Sequence, residues 1–153
     1  MKKELRTKDP KIRGIIKDSF PILYDGLMTQ LVSMPADFWV NQWLYDSYPS
    51  LRKEIEYGLS KIISISHKSL SYHMTMLIPE IVIKASNSMN AAFVSFAAEL
   101  LGREDLAEPY INTIFQTIRE KLRSYNSTNR GHLGDKETTD DWARELNLEG
   151  WYG

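Results

Sequence analysis

The chain has 153 residues, of which 42% are hydrophobic and 25% are charged, and its 19 basic and 20 acidic side chains give a formal net charge of -1. A chain of this length buries roughly 70% of its unfolded surface, so one domain can form a core without disulfides or a structural metal. The absence of cysteine excludes a disulfide framework, a thiol nucleophile, an iron-sulfur cluster and cysteine-ligated zinc, and the balanced charge gives no overall attraction to nucleic acid.

The N-terminal segment is basic. Residues 1–17 contain seven bases and two acids, a net charge of +5, and no apolar run long enough for a signal peptide. We therefore expect a cytoplasmic protein. The uncharged stretches at 69–79 and 85–98 are shorter than the roughly 18 to 20 apolar residues of a membrane span, so no membrane contact is expected.

Two helices are predicted in the first third of the chain. Apolar residues recur at steps of three and four over 20–34, which is typical of a helix with one buried face. Pro35 is expected to end this helix, because proline lacks an N–H and disfavours helical backbone at the preceding residue. A second helix is predicted from there until Tyr48 and Pro49 interrupt it.

The third predicted helix carries the main ambiguity. Helical spacing continues from Ser50 to Pro79, with Gly58 as a possible point of bending. Within it, the short segments around Ser64 and Ser71 alternate between polar and apolar residues, which is typical of a strand. Residues 60–78 are predicted as helix, with strand as the open alternative.

Residues 80–101 are predicted to form the central helix of the fold. Their apolar side chains keep helical register, and small residues such as Ala91 and Ala92 allow close approach of neighbouring helices. Gly102 follows directly, and a helix C-terminus favours a residue with left-handed backbone at that place.

The C-terminal third is predicted to contain two helices and a loop. The clearest amphipathic pattern predicts a helix over 109–125, and the polar, glycine-containing residues 126–137 predict a loop. Thr138 and Asp141 have the spacing of a capping box, which predicts a short acidic helix over 140–147.

Taken together, these elements predict an all-α fold. We expect one helical domain over 1–153, an irregular bundle of about six to seven helices. Its two ends differ in charge, because residues 135–153 carry six acids and two bases, a net charge of -4.

The sequence contains none of the common catalytic signatures. GxxxxGK[ST], GxGxxG, HExxH and GxSxG are all absent, so no phosphate-binding loop, helical zinc site or serine nucleophile elbow is predicted. His67 and His73 lie among serines, but six residues turn a helix by about 600° and leave the two rings on different faces. We expect no enzymatic activity, no cofactor and no metal, and an unrecognised small-molecule enzyme that uses these histidines is one alternative.

Nucleic acid is not the expected partner. The basic residues of the predicted helix 109–125 are Arg119, Lys121 and Arg123, and no aromatic platform lies between them. No pair of segments is typical of a helix-turn-helix. A DNA-binding transcriptional regulator is nevertheless kept as the first alternative, ahead of the small-molecule enzyme.

Two aromatic-rich segments are candidates for binding a protein. Five of the eleven residues from Phe38 to Tyr48 are aromatic, and Trp39 and Trp43 are left open between core and interface. The second segment is the acidic C-terminal end with its tryptophans. Tyrosine and tryptophan join a large apolar area to a polar group and are common binding hot spots. The predicted partner-binding residues are Tyr45, Tyr48, Asp140, Asp141, Trp142, Glu145, Glu149 and Trp151.

In its profile, the chain resembles bacterial toxin-immunity proteins, including those of contact-dependent growth inhibition systems. The resemblance rests on the segments FWVNQWLYDSY and DDWARELNLEGWY in a short, cysteine-free chain without a catalytic motif. It implies a noncatalytic protein that blocks a basic, nuclease-type toxin stoichiometrically, with a cognate toxin domain as partner. The C-terminal carboxylates would then stand in for the phosphates of the toxin's substrate.

Overall fold

The computed structural model describes residues 10–70, 78–111, 113–128 and 132–151. Within these ranges every regular element is helical and no strand occurs, which confirms the predicted all-α fold. The α-helices are α1 (Pro10–Ser47), α2 (Arg52–Ser69), α3 (Glu80–Leu100), α4 (Gln116–Thr128) and α5 (His132–Glu145), with 3₁₀ turns at Pro49–Leu51 and Glu104–Tyr110. In the same ranges no helix has both the length and the hydropathy needed to cross a membrane.

The first helix is longer than predicted. α1 has 38 residues and runs through both Pro21 and Pro35, so the predicted end at Pro35 is wrong. A proline removes one helical hydrogen bond, but Pro35 is fully buried and the neighbouring core positions Leu31 and Phe38 are buried as well. Packing on both sides of the proline holds the backbone helical, because tertiary burial contributes more to a helix than local propensity does.

The second helix settles part of the helix-or-strand ambiguity. α2 extends to Ser69, so the helix predicted over 60–78 is confirmed up to that residue, whereas residues 71–77 lie outside the described part of the chain. The buried residues of α2 are Leu59, Ile63 and Ser66, whose spacing of four and three places them on one helical face.

The central helix is confirmed. Every residue from Asn87 to Ser95 is buried, and α3 contacts α1, α2, α4 and the second 3₁₀ turn. Gly102 has the predicted left-handed backbone, with φ of +63°. The Gly102 N–H donates to the Glu99 carbonyl at 3.0 Å and the Arg103 N–H to the Ala98 carbonyl at 2.8 Å, which is the Schellman pattern of helix termination.

The predicted boundaries in the C-terminal third are wrong. The helix expected over 109–125 begins only at Gln116, because Pro109 lies inside the second 3₁₀ turn. Most of the loop expected over 126–137 is helical, since α4 continues to Thr128 and α5 begins at His132, while residues 129–131 lie outside the described part of the chain. The helix expected over 140–147 is therefore the second half of a longer one that ends at Glu145. Thr138 and Thr139 are buried inside α5, and this burial stabilises the helix that extends to the N-terminal side of its predicted start.

A network of polar side chains joins the three longest helices. Gln30 of α1 donates to Asn90 Oδ1 of α3 at 2.7 Å and accepts from Ser86 Oγ at 2.9 Å. Asn90 in turn donates to Ser69 Oγ of α2 at 3.2 Å. Because a buried amide is costly without partners, this network favours one register of the three helices over others.

Candidate protein-binding surface

The acidic residues predicted at the C-terminal end all have basic partners within the chain. These pairs are Asp140 with Lys136 (2.6 Å), Asp141 with Arg144 (2.6 Å), Glu145 with Lys121 (3.0 Å) and Glu149 with Arg144 (3.6 Å). Exposed ion pairs contribute little to stability. Lys136 and Arg144 are already counted in the net charge of -4, so only Lys121, which comes from α4, makes this end less negative than its sequence indicates.

Glu145 has a second partner that ties α5 to α4. The Tyr125 hydroxyl donates to Glu145 Oε1 at 2.8 Å, while Lys121 occupies the other carboxylate oxygen. These two hydrogen bonds hold the pKa of Glu145 below its usual value, and the carboxylate raises the pKa of the Tyr125 hydroxyl. Both oxygens of Glu145 are thus engaged in contacts between helices.

Trp142 is a core residue, and its prediction as an exposed partner-binding residue is wrong. Its side chain is fully buried, and its Nε1–H donates to the Leu122 carbonyl at 3.0 Å. The ring lies edge-on against Phe38, with ring centroids 5.8 Å apart. The indole fills the space where α4 and α5 meet α1, so it has no surface left for a partner.

Trp151 attaches the C-terminal end to α1. Its half-buried ring lies 5.7 Å from the Phe20 ring and 6.1 Å from the Tyr24 ring, measured between centroids. The Tyr24 hydroxyl donates to the Trp151 carbonyl. Trp151 therefore packs against residues of the same chain, and only part of its ring faces solvent.

The two predicted tyrosines lie at the C-terminal end of α1. The Tyr45 hydroxyl donates to Glu56 Oε1 at 3.0 Å, and the Arg52 guanidinium lies over its ring at 5.0 Å. The hydrogen bond to Glu56 raises the pKa of Tyr45. Tyr48 is 42% exposed and meets the ring of Trp43 edge-on at 5.3 Å. Tyr48 thus faces solvent, whereas Tyr45 joins α1 to α2.

Trp43 stands beside an open groove between α1, α3 and α4. It is 51% exposed, so of the two tryptophans left open by the sequence it is the more accessible one, while Trp39 is half-buried. The groove has a volume of about 730 Å³, and Trp39, Trp43 and Phe96 contribute to its apolar lining. Arg123 forms a two-bond ion pair with Glu99 at its rim.

The groove also contains a buried acceptor without a donor. Asn126 lines the groove and donates through Nδ2 to the Pro35 carbonyl at 2.7 Å, but its Oδ1 is buried and accepts no hydrogen bond in the described structure. Nearby, the Trp39 Nε1–H donates to Asp135 Oδ1 at 2.8 Å. An unsatisfied buried acceptor of this kind costs about 1 to 3 kcal/mol.

From Asp18 to its C-terminal end, the outward face of α1 carries acidic residues and no basic ones. No Lys, Arg or His occurs from residue 18 to residue 51, and this stretch contains four aspartates. None of them forms an ion pair with another described residue. Steps of seven and eleven residues place Asp18, Asp25, Val32 and Trp43 within about 40° around the helix, with Asp46 one turn further. These five residues are all exposed, and we call them the acidic stripe.

Sequence reasoning missed this stripe because it counted charge at the chain ends. The signal that reveals it is the stretch of 34 residues without a base, read together with the helical period. The groove had no comparable signal, since Phe96, Arg123 and Asn126 come from helices far apart in sequence.

The histidine considered for catalysis has a structural contact. His67 Nε2 lies 2.8 Å from the Leu106 carbonyl, and because a carbonyl only accepts, Nε2 carries the proton. This bond ties α2 to the second 3₁₀ turn. His73 lies outside the described residues. Across the described ranges, no three or more His, Asp or Glu side chains are grouped so that they could hold a metal ion.

Comparison of the chain with protein-family models, curated proteins and solved structures finds no match. The candidate surface, made of the groove and the acidic stripe, therefore rests on its own geometry and charge.

Proposed function

We propose that this chain is a noncatalytic protein-binding module that contacts its partner through the groove and the acidic stripe of α1. The observation that carries the proposal is the position of Trp43, which is half exposed on a long helix directly beside an open groove. Tryptophan dominates binding hot spots because it combines a large apolar area with a hydrogen-bond donor and loses little rotamer freedom. Trp43 and the edge-on Tyr48 would be the anchor of the interface.

The charge of this surface favours a basic partner. The aspartates of the acidic stripe form no ion pair with another described residue, and they lie on the same side of α1 as Trp43, with Asp46 within one turn of it. Complementary charge steers encounter, while a buried apolar contact supplies affinity. A partner segment that carries an apolar side chain next to a lysine or arginine would fill the groove and pair with Asp46.

Stoichiometric inhibition of a basic toxin, the role implied by the sequence resemblance, is one form of this proposal. The C-terminal carboxylates already form ion pairs within the chain, so we do not place the inhibitory surface at that end. In the revised form, the aspartates of α1 would take the place of substrate phosphates.

Site-specific photo-cross-linking tests the location of the surface. A photoreactive residue at Gln42, which is exposed and lines the groove, is expected to capture the partner in the native cells. The matched control carries the same residue at Glu104, an exposed position in the second 3₁₀ turn. Equal capture from both positions would contradict the proposal.

Affinity of the captured protein then tests the anchor. Trp43→Ala should weaken binding roughly thirtyfold, the loss expected for a hot-spot residue. Ile114→Ala, which removes a side chain that is 74% exposed elsewhere, should leave the dissociation constant unchanged. Asp25→Lys with Asp46→Lys should weaken binding most at low salt. If Trp43→Ala and Ile114→Ala had the same effect, the proposed anchor would be wrong.

A further inference from the structure

A second apolar face lies on α2, beside the side that packs on the core. Leu51, directly before α2, and Ile62 and Ile65 within it are 43%, 41% and 66% exposed, whereas Leu59 on the core side is buried. Gly58 lies in the middle of this face, and apart from the adjacent residues and the backbone of its own helix no atom lies within 4 Å of the position that a Cβ would occupy there. A helix with apolar residues beyond its buried side is typical of one that packs against a second surface.

The residues of this face are arranged symmetrically about Gly58. Leu51 lies seven residues before Gly58 and Ile65 seven residues after it, and a spacing of seven keeps all three on one helical face. In an antiparallel pair of such helices, Leu51 of one copy meets Ile65 of the other at both ends. The two Gly58 residues then meet at the two-fold axis, where the lack of side chains allows the backbones to approach closely.

The charges on this face come within one residue of the same symmetry. Glu54 lies four residues before Gly58 and Lys61 three residues after it, so each is placed beside the other across an antiparallel pair. Neither forms an ion pair with another described residue, and the Lys61 amine lies over the ring of Tyr57 at 4.8 Å. A parallel pair would instead place Glu54 against Glu54 and Lys61 against Lys61, which is unfavourable.

We propose that a second copy of this chain docks on this face of α2 in antiparallel orientation, with Gly58 at the two-fold axis. The interface closes two ion pairs between Glu54 and Lys61 and covers the exposed isoleucines and leucines at both ends. It is one helix wide, so it falls at the low end of specific interfaces and the dimer is concentration-dependent. The face shares no residue with the groove or the acidic stripe, so this proposal and the proposed function can fail separately.

Single cysteines test the orientation, because the chain has none of its own. On mild oxidation, Gly58→Cys is expected to form a disulfide-linked dimer, since the axis places residue 58 beside its own copy. The control Ser60→Cys is exposed on the same helix but turned away by about 200°, and it should stay monomeric. When Leu51→Cys and Ile65→Cys are mixed and oxidised, the disulfide-linked heterodimer should form in larger amount than the homodimer that either variant forms alone. A preference of Leu51→Cys for itself would indicate a parallel pair and overturn the proposal.

Charge exchange tests the contact itself by sedimentation velocity. Glu54→Lys and Lys61→Glu should each weaken the dimer roughly fivefold, because each variant places like charges across both pairs. The double variant should regain the parent affinity, since the pairs re-form with reversed sign. Circular dichroism checks that each variant is folded. A parent chain that stays monomeric at all accessible concentrations, or a double variant that is no better than the single ones, overturns the proposal and leaves this face to a different protein.

Discussion

Tyr110 joins the second 3₁₀ turn to α2 through a buried hydroxyl group. Its side chain is fully buried, and the hydroxyl donates to the Ser66 carbonyl at 2.9 Å. Burial raises the pKa of Tyr110 to about 12, compared with an ordinary value of 10.0. The folded chain therefore requires the neutral phenol at this position.

We expect the free energy of unfolding to fall at alkaline pH because of this residue. A group whose pKa is raised by folding contributes fully below its unfolded pKa and loses that contribution as the pH rises through its folded pKa. For Tyr110 the loss should run from pH 10.0 to about 12 and amount to about 2 to 3 kcal/mol. Urea unfolding over this range measures it.

The control for this pH dependence is Tyr110→Phe, which has no ionisable group at the site. Tyr45 and Tyr125, whose pKa values are raised by hydrogen bonds to Glu56 and Glu145, are present in both proteins and cancel in the comparison. An equally large alkaline loss in the phenylalanine variant would show that Tyr110 is not its source.

At the scale of single residues, the sequence could identify the aromatic clusters but not which rings are buried. Trp43 and Trp142 both lie on helices with apolar neighbours, yet one is 51% exposed and the other is fully buried. Trp142 packs in the core against Phe38, and the Leu122 carbonyl, 20 residues away in sequence, accepts the hydrogen bond of its buried indole N–H. A contact of that kind has no local signal, and neither has the pairing of Glu145 with Lys121.

Two helices of the bundle end in the same hydrogen-bond pattern. The pattern described for α3 at Gly102 recurs at the end of α5, where Asn147 has a φ of +56°. The Asn147 N–H donates to the Arg144 carbonyl at 3.1 Å, and the Leu148 N–H donates to the Ala143 carbonyl at 2.7 Å. Leu148 is fully buried, so the cap also turns the chain back towards the core.

Exchanging residues at these two caps should change stability in opposite directions. Gly102→Ala should lower the free energy of unfolding by about 1 kcal/mol, because a Cβ is unfavourable in left-handed backbone. No atom lies within 4 Å of the added Cβ, so steric contact adds nothing to this loss. Asn147→Gly should raise the free energy of unfolding by about 0.5 kcal/mol for the converse reason. Chemical denaturation of both variants measures the changes, and changes of equal sign would contradict this account of the caps.

At the scale of elements, the sequence predicted correctly those helix ends that depend on the backbone of a single residue. Gly102 follows the end of α3 as predicted, because the left-handed position is a backbone property of one residue. Pro35 did not end α1, since burial on both sides of it outweighs one lost hydrogen bond. The start of α5 was missed for the same reason, as the burial of Thr138 and Thr139 depends on helices elsewhere in the chain.

At the scale of the whole molecule, the C-terminal end closes the bundle against the first helix. Trp151 packs on Phe20 and Tyr24, and these contacts join positions 127 or more residues apart. Leu148, which precedes the final turn, is fully buried. The N-terminal half of α1 is thus held on this side by the last described residues.

Removing this contact should loosen the N-terminal half of α1 first. Trp151→Ala is expected to increase the rate of hydrogen exchange between Phe20 and Tyr24 and to lower the free energy of unfolding by about 1 to 3 kcal/mol. The buried centre of α3 should keep its protection. Hydrogen exchange followed by mass spectrometry measures both regions, with Trp43→Ala as the matched removal of an exposed indole. Faster exchange in α3 than in α1 would contradict the proposed closure.

The net charge of the whole chain does not show which carboxylates are free of ion pairs within the chain and so can meet a basic partner. The sequence predicted opposite charge at the two ends, but four of the six C-terminal acids pair with bases of α4 and α5. The unpaired carboxylates of the described chain include those along α1, where no base occurs from Asp18 to Leu51. Which charges cancel is a matter of three-dimensional distance, so a count along the sequence could not locate the acidic stripe.

Because the tryptophans differ in exposure, the fluorescence of Trp43 can report on binding at the groove. A collisional quencher such as acrylamide reaches the half-exposed Trp43 readily and does not reach the fully buried Trp142. A partner seated in the groove would shield Trp43, shift its emission to shorter wavelength and reduce quenching without any label. A molecule docked on α2 would leave this emission unchanged, so one fluorescence titration separates the two surfaces.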